Sequence, residues 1–179
     1  MDAAPDGAIK PLFSAEAIAA RVDQLASDIA ATGLDDLMVV AVLKGSFIFA
    51  ADLIRALHRQ GLKPEIDFIY LASYDGERIC GEVRVVRDVG SDVRGRNVVI
   101  VDDIFDSGRT LAFAKSLLLD GGASRVLTCV LLDKQVPRAA PITPDFVGFS
   151  CPPVFVVGYG MDFHNRYREL PFIGELTVG

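Results

Sequence analysis

Cysteine is scarce in this chain of 179 residues, which contains only Cys80, Cys129 and Cys151. Their number is odd, and their spacing forms neither a CxxC pair nor a metal-binding pattern. We therefore expect reduced thiols in a reducing compartment, because disulfides persist mainly in oxidising ones.

Basic residues are also in the minority. The chain has 18 lysines and arginines against 24 acidic residues, which gives a net charge of -6 and a pI of about 4.9. Nonspecific nucleic-acid binding needs an excess of basic side chains to neutralise phosphates, so this composition argues against it. A small phosphorylated ligand remains compatible with it, provided that donors are concentrated locally.

Long apolar runs are missing as well. The most apolar stretch, MVVAVLKGSFIFAADLI, is interrupted by Lys44 and Asp52, whereas a membrane span takes about 20 apolar residues. The first residues, MDAAPDGAIKPLF, carry two aspartates and no apolar signal region. We therefore expect a cytoplasmic protein with no membrane partner.

The patterns that are present predict one α/β domain over residues 1–179. Apolar residues at helical spacing predict helices over 14–31, 46–60 and about 107–119. Apolar or alternating runs predict strands over 38–43, 66–72, 82–87, 98–101, 126–132 and 154–157. The stretch 137–153 is predicted as loop with a short strand at 146–149, and the tail from Asp162 as irregular. Alternating strands and helices predict a mainly parallel central sheet flanked by helices, with ligands outside the carboxyl ends of the strands.

The segment VVIVDDIFDSGRTL, residues 98–111, carries the clearest chemical pattern. A β-branched strand leads through a short loop into a helix, where exposed backbone N–H groups and the helix dipole attract anions. The hydroxyls of Ser107 and Thr110 add donors, and Gly108 lets the backbone approach a ligand closely. This loop is suited to holding a phosphate group.

Two acidic residues, Asp102 and Asp103, follow that strand. A ribose between them would explain carboxylates beside a phosphate, because vicinal hydroxyls donate hydrogen bonds to carboxylates. A Mg²⁺ ion shared by carboxylate, hydroxyls and pyrophosphate would offset the charge repulsion. The alternative is that Asp106 and Ser107 only cap a helix, while the acidic pair is solvated.

Residues 98–111 resemble the phosphoribosyl-pyrophosphate signature of type I phosphoribosyltransferases. Four more segments resemble the hypoxanthine-guanine branch of that family, in the family's order: VLKGS at 42–46, LASY at 71–74, LLDK at 131–134 and FVVGYGMD at 155–162. The resemblance to bacterial hypoxanthine phosphoribosyltransferases covers most of the chain from residue 39 to 176. It implies the type I fold, a small hood from about 1–35 and 150–179, and a mobile loop over about 73–82.

The resemblance also implies residue roles. It assigns the substrate phosphate and ribose to Asp102, Asp103, Asp106, Ser107, Gly108, Arg109 and Thr110, although Arg109 lies at a variable position of the motif. It assigns pyrophosphate to Lys44, Gly45 and Arg168, and the purine to Lys134, Phe155, Val156 and Asp162. The mobile loop would begin at Ser73 and Tyr74, and Mg²⁺ would bind Asp102, Asp103 and Asp162. The peptide before Lys44 can be cis in the family, and the sequence leaves its isomer open.

Two residues predict which base is bound. The Lys134 ammonium can only donate hydrogen bonds, so it suits the O6 acceptor of a 6-oxopurine and disfavours the amine of adenine. Phe155 offers a ring for stacking on the base. Taken alone, each is more often an ordinary surface lysine or core phenylalanine.

Together these features predict a purine salvage enzyme. It would join hypoxanthine or guanine to phosphoribosyl pyrophosphate, giving IMP or GMP and pyrophosphate, with Mg²⁺ as cofactor and Asp106 as the general base that accepts the N7 proton. By resemblance we expect a homodimer or homotetramer without a nucleic-acid partner. The alternative is a nucleotide-sensing, RNA-binding regulator of the same fold, which would want a basic face. The preference among hypoxanthine, guanine and xanthine stays open.

Overall fold

A six-stranded sheet runs through the centre of the computed structural model, which describes residues 8–74 and 82–177. Its strands are β2 (Leu37–Leu43), β3 (Glu65–Tyr74), β4 (Glu82–Arg87), β5 (Asn97–Phe105), β6 (Arg125–Lys134) and β7 (Phe146–Cys151). They lie in the order β4-β3-β2-β5-β6-β7, and only the β3–β4 pair is antiparallel. Strands β2, β5 and β6 are nearly continuous apolar runs because both of their faces are covered.

Three helices cover the two faces of this sheet: α1 (Ala15–Ala30), α2 (Phe47–Arg59) and α3 (Arg109–Asp120). Successive residues of β2 point to opposite faces, so Val39 packs in the core with α1 and α2, while Val40 packs in the core with α3. Ser14 caps α1, because its hydroxyl accepts the N–H of Ala17 at 3.2 Å. Among the described residues, no helix has the length and apolar character required to cross a membrane.

A second, antiparallel sheet joins the two ends of the described chain. It consists of β1 (Ala8–Phe13), β9 (Ile173–Thr177) and β8 (Val156–Val157), in that order. The prediction of an irregular tail from Asp162 is therefore wrong for β9. Strand β9 does not alternate strictly between apolar and polar residues, and its pairing with β1, more than 150 residues earlier in the chain, creates the strand.

The predicted fold class is confirmed, with the helices within about two residues of their predicted ends. Two strands, β5 and β3, extend beyond their predicted ends and include predicted site residues. Strand β5 was predicted to end at residue 101 but continues to Phe105, so Asp102 and Asp103 lie within the strand. Strand β3 likewise extends through Ser73 and Tyr74, which had been predicted as loop.

Candidate active site

Three residues that were predicted to bind substrate or to act in catalysis lie at the carboxyl ends of three neighbouring strands. Lys44 follows β2, Asp106 follows β5, and Lys134 is the last residue of β6. Because these strands are parallel, their carboxyl ends form one edge of the sheet. The Lys134 Nζ atom lies 3.5 Å from Asp106 Oδ2.

Between β5 and α3, residues 106–108 and Thr110 help to line a small cavity of about 50 Å³. Gly108 has a φ of +80°, which is the left-handed region, and it directly precedes the first residue of α3. A Cβ atom at Gly108 would approach Ile142 and Phe105 at 3.1 and 3.2 Å. The turn is therefore tightly packed on one side and open to an anion at the helix start on the other.

The packed side of this turn is formed by residues 138–140, which sequence reasoning missed. Arg138 donates to the carbonyl oxygens of Phe105 (3.1 Å) and Asp106, and forms an ion pair with Asp133. The N–H groups of residues 139 and 140 donate to the carbonyl oxygen of Ser107 at 2.9 and 3.2 Å. The proline-containing stretch around Arg138 has no periodicity or motif that would have identified it.

Asp102 and Asp103 do not form the solvated pair of the alternative prediction. Asp102 is only 6% exposed, and its Oδ1 accepts the backbone N–H of Asp103 at 3.0 Å. Burial raises the pKa of Asp102 well above its usual value, and the charge of Asp103 adds to the effect. Burial also raises the pKa of Asp103, although the Asp102 hydrogen bond and the positive charge of Arg168 act against it.

This acidic pair fits a divalent cation that also uses oxygen atoms of a ligand. Two neighbouring carboxylates, one buried and one partly buried, are costly to ionise, and a hard cation would relieve that cost. In the part of the chain that the structure describes, no group of three or more His, Cys, Asp or Glu side chains converges on one point. A site of this kind suits Mg²⁺, which often takes one or two carboxylates and completes its shell with phosphate oxygens and water.

The proposed pyrophosphate residues form a closely packed group. The Leu43–Lys44 peptide is cis. A Cβ atom on Gly45 would overlap the carboxylate of Asp103, and one on Gly160 would overlap the carbonyl oxygen of Gly45. The chain can therefore bring the 44–45 turn, the acidic strand and the 158–162 turn together only because both positions are glycine.

Arg168 and Asp162, which were predicted to bind pyrophosphate and Mg²⁺ respectively, contact each other. Arg168 Nη2 lies 2.7 Å from Asp162 Oδ1, and Nη1 donates to the carbonyl oxygen of Gly160 at 2.6 Å. Asp162 also accepts the N–H of Asn165 at 2.7 Å. The arginine is thus held against the 158–162 turn and within electrostatic reach of Asp103.

The predicted purine residues come from both sheets. Lys134 belongs to the central sheet, whereas Val156 opens β8 of the small sheet and directly follows Phe155. Phe155 is 48% exposed, and its ring makes an edge-to-face contact with Phe163, with centroids 5.6 Å apart. An aromatic ring that is about half exposed can offer a face for stacking.

Three predicted site residues have few described contacts at the site. Arg109 is the exposed first residue of α3, and its N–H donates weakly to Ser107 Oγ at 3.4 Å. Ser73 and Tyr74 pair through their backbones with β4, but their side chains lie outside the described part. The rest of the predicted mobile loop, residues 75–81, lies outside the described residues.

Comparison with known proteins agrees with this geometry. The family model described as "Phosphoribosyl transferase domain" matches residues 9–164. The chain is 39% identical to hypoxanthine phosphoribosyltransferase of Escherichia coli K12, over 90% of this chain and 91% of the relative. It is 40% identical to hypoxanthine-guanine phosphoribosyltransferase of Bacillus subtilis, over 93% and 92%.

The similar solved structures are also phosphoribosyltransferases. A hypoxanthine-guanine phosphoribosyltransferase of Bacillus anthracis superimposes with a TM-score of 0.83 at 40% identity, covering 94% of this chain and 97% of the other. Trypanosoma cruzi hypoxanthine phosphoribosyltransferase superimposes with a TM-score of 0.89 at 36% identity, covering 98% and 95%. The fold, the phosphate-binding turn and these similarities together show that the chain belongs to the phosphoribosyltransferase family.

Proposed function

We propose that this protein transfers the phosphoribosyl group of phosphoribosyl pyrophosphate to a 6-oxopurine, hypoxanthine or guanine, and forms IMP or GMP and pyrophosphate. The observation that carries the proposal is the 3.5 Å approach of Lys134 to Asp106 beside the 106–110 turn. It places a donor for O6 and a carboxylate next to a phosphate-sized cavity. The names of the similar enzymes support the same reaction.

In the proposed reaction, the bond between ribose C1′ and the pyrophosphate oxygen breaks, and its electron pair leaves with pyrophosphate. A purine ring nitrogen forms the new bond to C1′. The 106–110 turn would hold the 5′-phosphate and orient the ribose, so that binding energy remote from C1′ supports the reaction.

The purine must lose a proton as it attacks, and Asp106 is the proposed acceptor from N7. Its side chain is 54% exposed, and its carboxylate lies 3.5 Å from the Lys134 ammonium. Lys134 would meanwhile donate to O6, and Phe155 would stack on the ring. A general base in this position typically contributes about 10²–10⁴-fold to the rate.

The departing pyrophosphate needs positive charge. Lys44 and Arg168 would supply it from the protein, with Gly45 leaving room for the Asp103 carboxylate and Asp162 orienting Arg168. Asp102 and Asp103 are the proposed ligands of one Mg²⁺ ion, and Asp162, which does not converge with them among the described residues, is the proposed ligand of a second. When bound, the ions would neutralise charge on the leaving group.

Two further expectations belong to this proposal. The protein is expected to act in the cytoplasm, and to form a homodimer or homotetramer. Light scattering coupled to size-exclusion chromatography checks the oligomeric state directly.

The test of the function is a pyrophosphate-release assay with hypoxanthine, guanine, xanthine and adenine, each with phosphoribosyl pyrophosphate and Mg²⁺. Hypoxanthine should release pyrophosphate and form IMP, whereas adenine should be inactive, because it presents an amine to Lys134. Pyrophosphate release with adenine alone, or with none of the four bases, contradicts the proposal.

A further inference from the structure

We propose that Arg138 is a positioning residue that turns the backbone amides of the 106–108 turn toward the substrate phosphate. This inference rests on the proposed function, because the ligand of the turn is the 5′-phosphate. Arg138 lies outside the motifs by which the family is recognised in this chain, and nothing in the sequence around it indicates a role.

The carbonyl groups of the turn point toward residues 138–140. Three successive carbonyl oxygens, those of residues 105, 106 and 107, all accept hydrogen bonds from the 138–140 segment. Arg138 binds the first two, and the N–H groups of residues 139 and 140 bind the third.

The direction of these carbonyl groups also sets the direction of the backbone amides. In a planar trans peptide, the C=O of one residue and the N–H of the next point in opposite directions. Holding the carbonyls of residues 105–107 against the 138–140 segment therefore turns the N–H groups of residues 106–108 away from it. That side is the cavity between β5 and α3. Three aligned amides at a helix start form a preorganised anion site.

The contacts of residue 138 suit an arginine in particular. One guanidinium binds two carbonyl oxygens and the carboxylate of Asp133, and its carbon lies 4.2 Å from the centroid of the Phe105 ring. The N–H groups of the guanidinium hold the 105–107 backbone through hydrogen bonds, while its flat face packs on the Phe105 ring. The side chain of Arg138 is partly buried. A lysine carries the same charge but has neither the fork nor the flat face.

The experiment compares Arg138→Met and Arg138→Lys with the wild type and with a control, Arg94→Met. Arg94 is an exposed arginine whose ion pair is with nearby Asp92. Steady-state assays give kcat and the KM values for phosphoribosyl pyrophosphate and hypoxanthine. Calorimetry gives the Kd for ribose 5-phosphate, which reports the phosphate site independently of turnover.

Arg138→Met should raise the KM for phosphoribosyl pyrophosphate and the Kd for ribose 5-phosphate by about tenfold or more, because the amides lose their alignment. The KM for hypoxanthine should change by less than about threefold, a split that general destabilisation would not produce. Arg138→Lys should show most of the same loss, and Arg94→Met should match the wild type.

The proposal is overturned if Arg138→Lys binds ribose 5-phosphate as tightly as the wild type, since charge alone would then suffice. It is also overturned if folded Arg138→Met stays within about twofold of the wild type for both phosphate ligands. If Arg138→Met does not fold, Arg138→Lys decides by the same criterion. A wild-type protein that binds ribose 5-phosphate but makes no IMP would instead contradict the proposed function.

Discussion

Asp106 has a solvent-exposed carboxylate that nevertheless lies 3.5 Å from the ammonium of Lys134. The contact connects the phosphate-binding turn to the end of β6. Each residue has an ordinary alternative role, Asp106 as a cap and Lys134 as a surface charge. Their proximity at the mouth of a cavity favours the chemical roles, and substitution of each residue tests them separately.

Replacing Asp106 with asparagine keeps the shape and hydrogen-bonding oxygen of the side chain but removes its ability to accept a proton. If Asp106 is the general base, kcat should fall by about 10²–10⁴-fold. The KM for phosphoribosyl pyrophosphate should change little, because the turn is preserved. Steady-state kinetics measure both, and normal turnover would leave Asp106 only a structural role.

Replacing Lys134 with methionine removes the donor to O6 while keeping a chain of similar length. The KM for hypoxanthine should rise by about ten- to a hundredfold, the usual effect of losing a hydrogen bond to a charged group. Lys63→Met, at an exposed position before β3, serves as the control. A hypoxanthine KM equal to the wild-type value would exclude Lys134 from base recognition.

At the scale of elements, the site depends on turns packed against each other rather than on any single helix. The turn after β2, the end of β5 and the turn after β8 meet at Gly45 and Gly160, where a Cβ atom would overlap Asp103 and the Gly45 carbonyl, respectively. The glycines are required by this close approach. The consequence is that a single methyl group should displace the proposed metal ligand.

Gly45→Ala should therefore lower kcat/KM for phosphoribosyl pyrophosphate by about 10²-fold, the usual effect of displacing reacting groups by about 1 Å. Gly90→Ala is a matched control, because its added Cβ would lie 3.8 Å from the Asp67 carboxylate, an ordinary contact. Activity assays check the difference. Equal activity of the two variants would show that Asp103 can move without loss.

A hydrogen bond also joins α2 to the turn after β8. The hydroxyl of buried Tyr159 donates to Asp52 Oδ2 at 2.6 Å, and burial, reinforced by this bond, raises the pKa of the phenol. A raised folded-state pKa adds stability that is present below the unfolded value, near 10, and is lost as the pH rises above it.

Tyr159→Phe should accordingly lower the free energy of unfolding by about 1 kcal/mol at pH 7. Between about pH 9 and 11, the wild type should lose more stability than the variant, since only the wild type has this phenol to ionise. Denaturant melts at several pH values measure the difference. Parallel pH profiles for the two proteins would contradict the assignment.

At the scale of the whole molecule, the reactivity of two buried cysteines measures how readily solvent reaches the core. Cys129 and Cys151 are free and buried, and burial raises the pKa of both thiols. A buried, protonated thiol reacts slowly, because the thiolate is the reactive form.

A Cys80→Ser variant should therefore release no chromophore with a thiol-reactive disulfide reagent while it is folded, and two equivalents after denaturation. This variant removes the third thiol, so that the result concerns Cys129 and Cys151 alone. Rapid reaction of either thiol in the folded protein would mean that the core opens more readily than its burial indicates.

Local pattern determined much of this protein. The apolar runs of β2, β5 and β6 and the periodicity of the three helices are properties of neighbouring residues, and so were readable directly. The same holds for the acidic and glycine-containing segment at 102–110, whose chemistry lies within nine consecutive residues. The sequence therefore sufficed for the fold class, the family and the edge of the sheet where the site lies.

Other features were decided only by the tertiary structure, because they depend on residues far apart in the chain. Strands β1 and β9 exist through pairing with each other, and the role of Arg138 depends on carbonyl groups more than 30 residues earlier. The burial of Asp102, the interlocked glycines at 45 and 160, and the pairing of Arg168 with Asp162 likewise follow from packing. No local pattern encodes such contacts, since each partner alone is an ordinary residue.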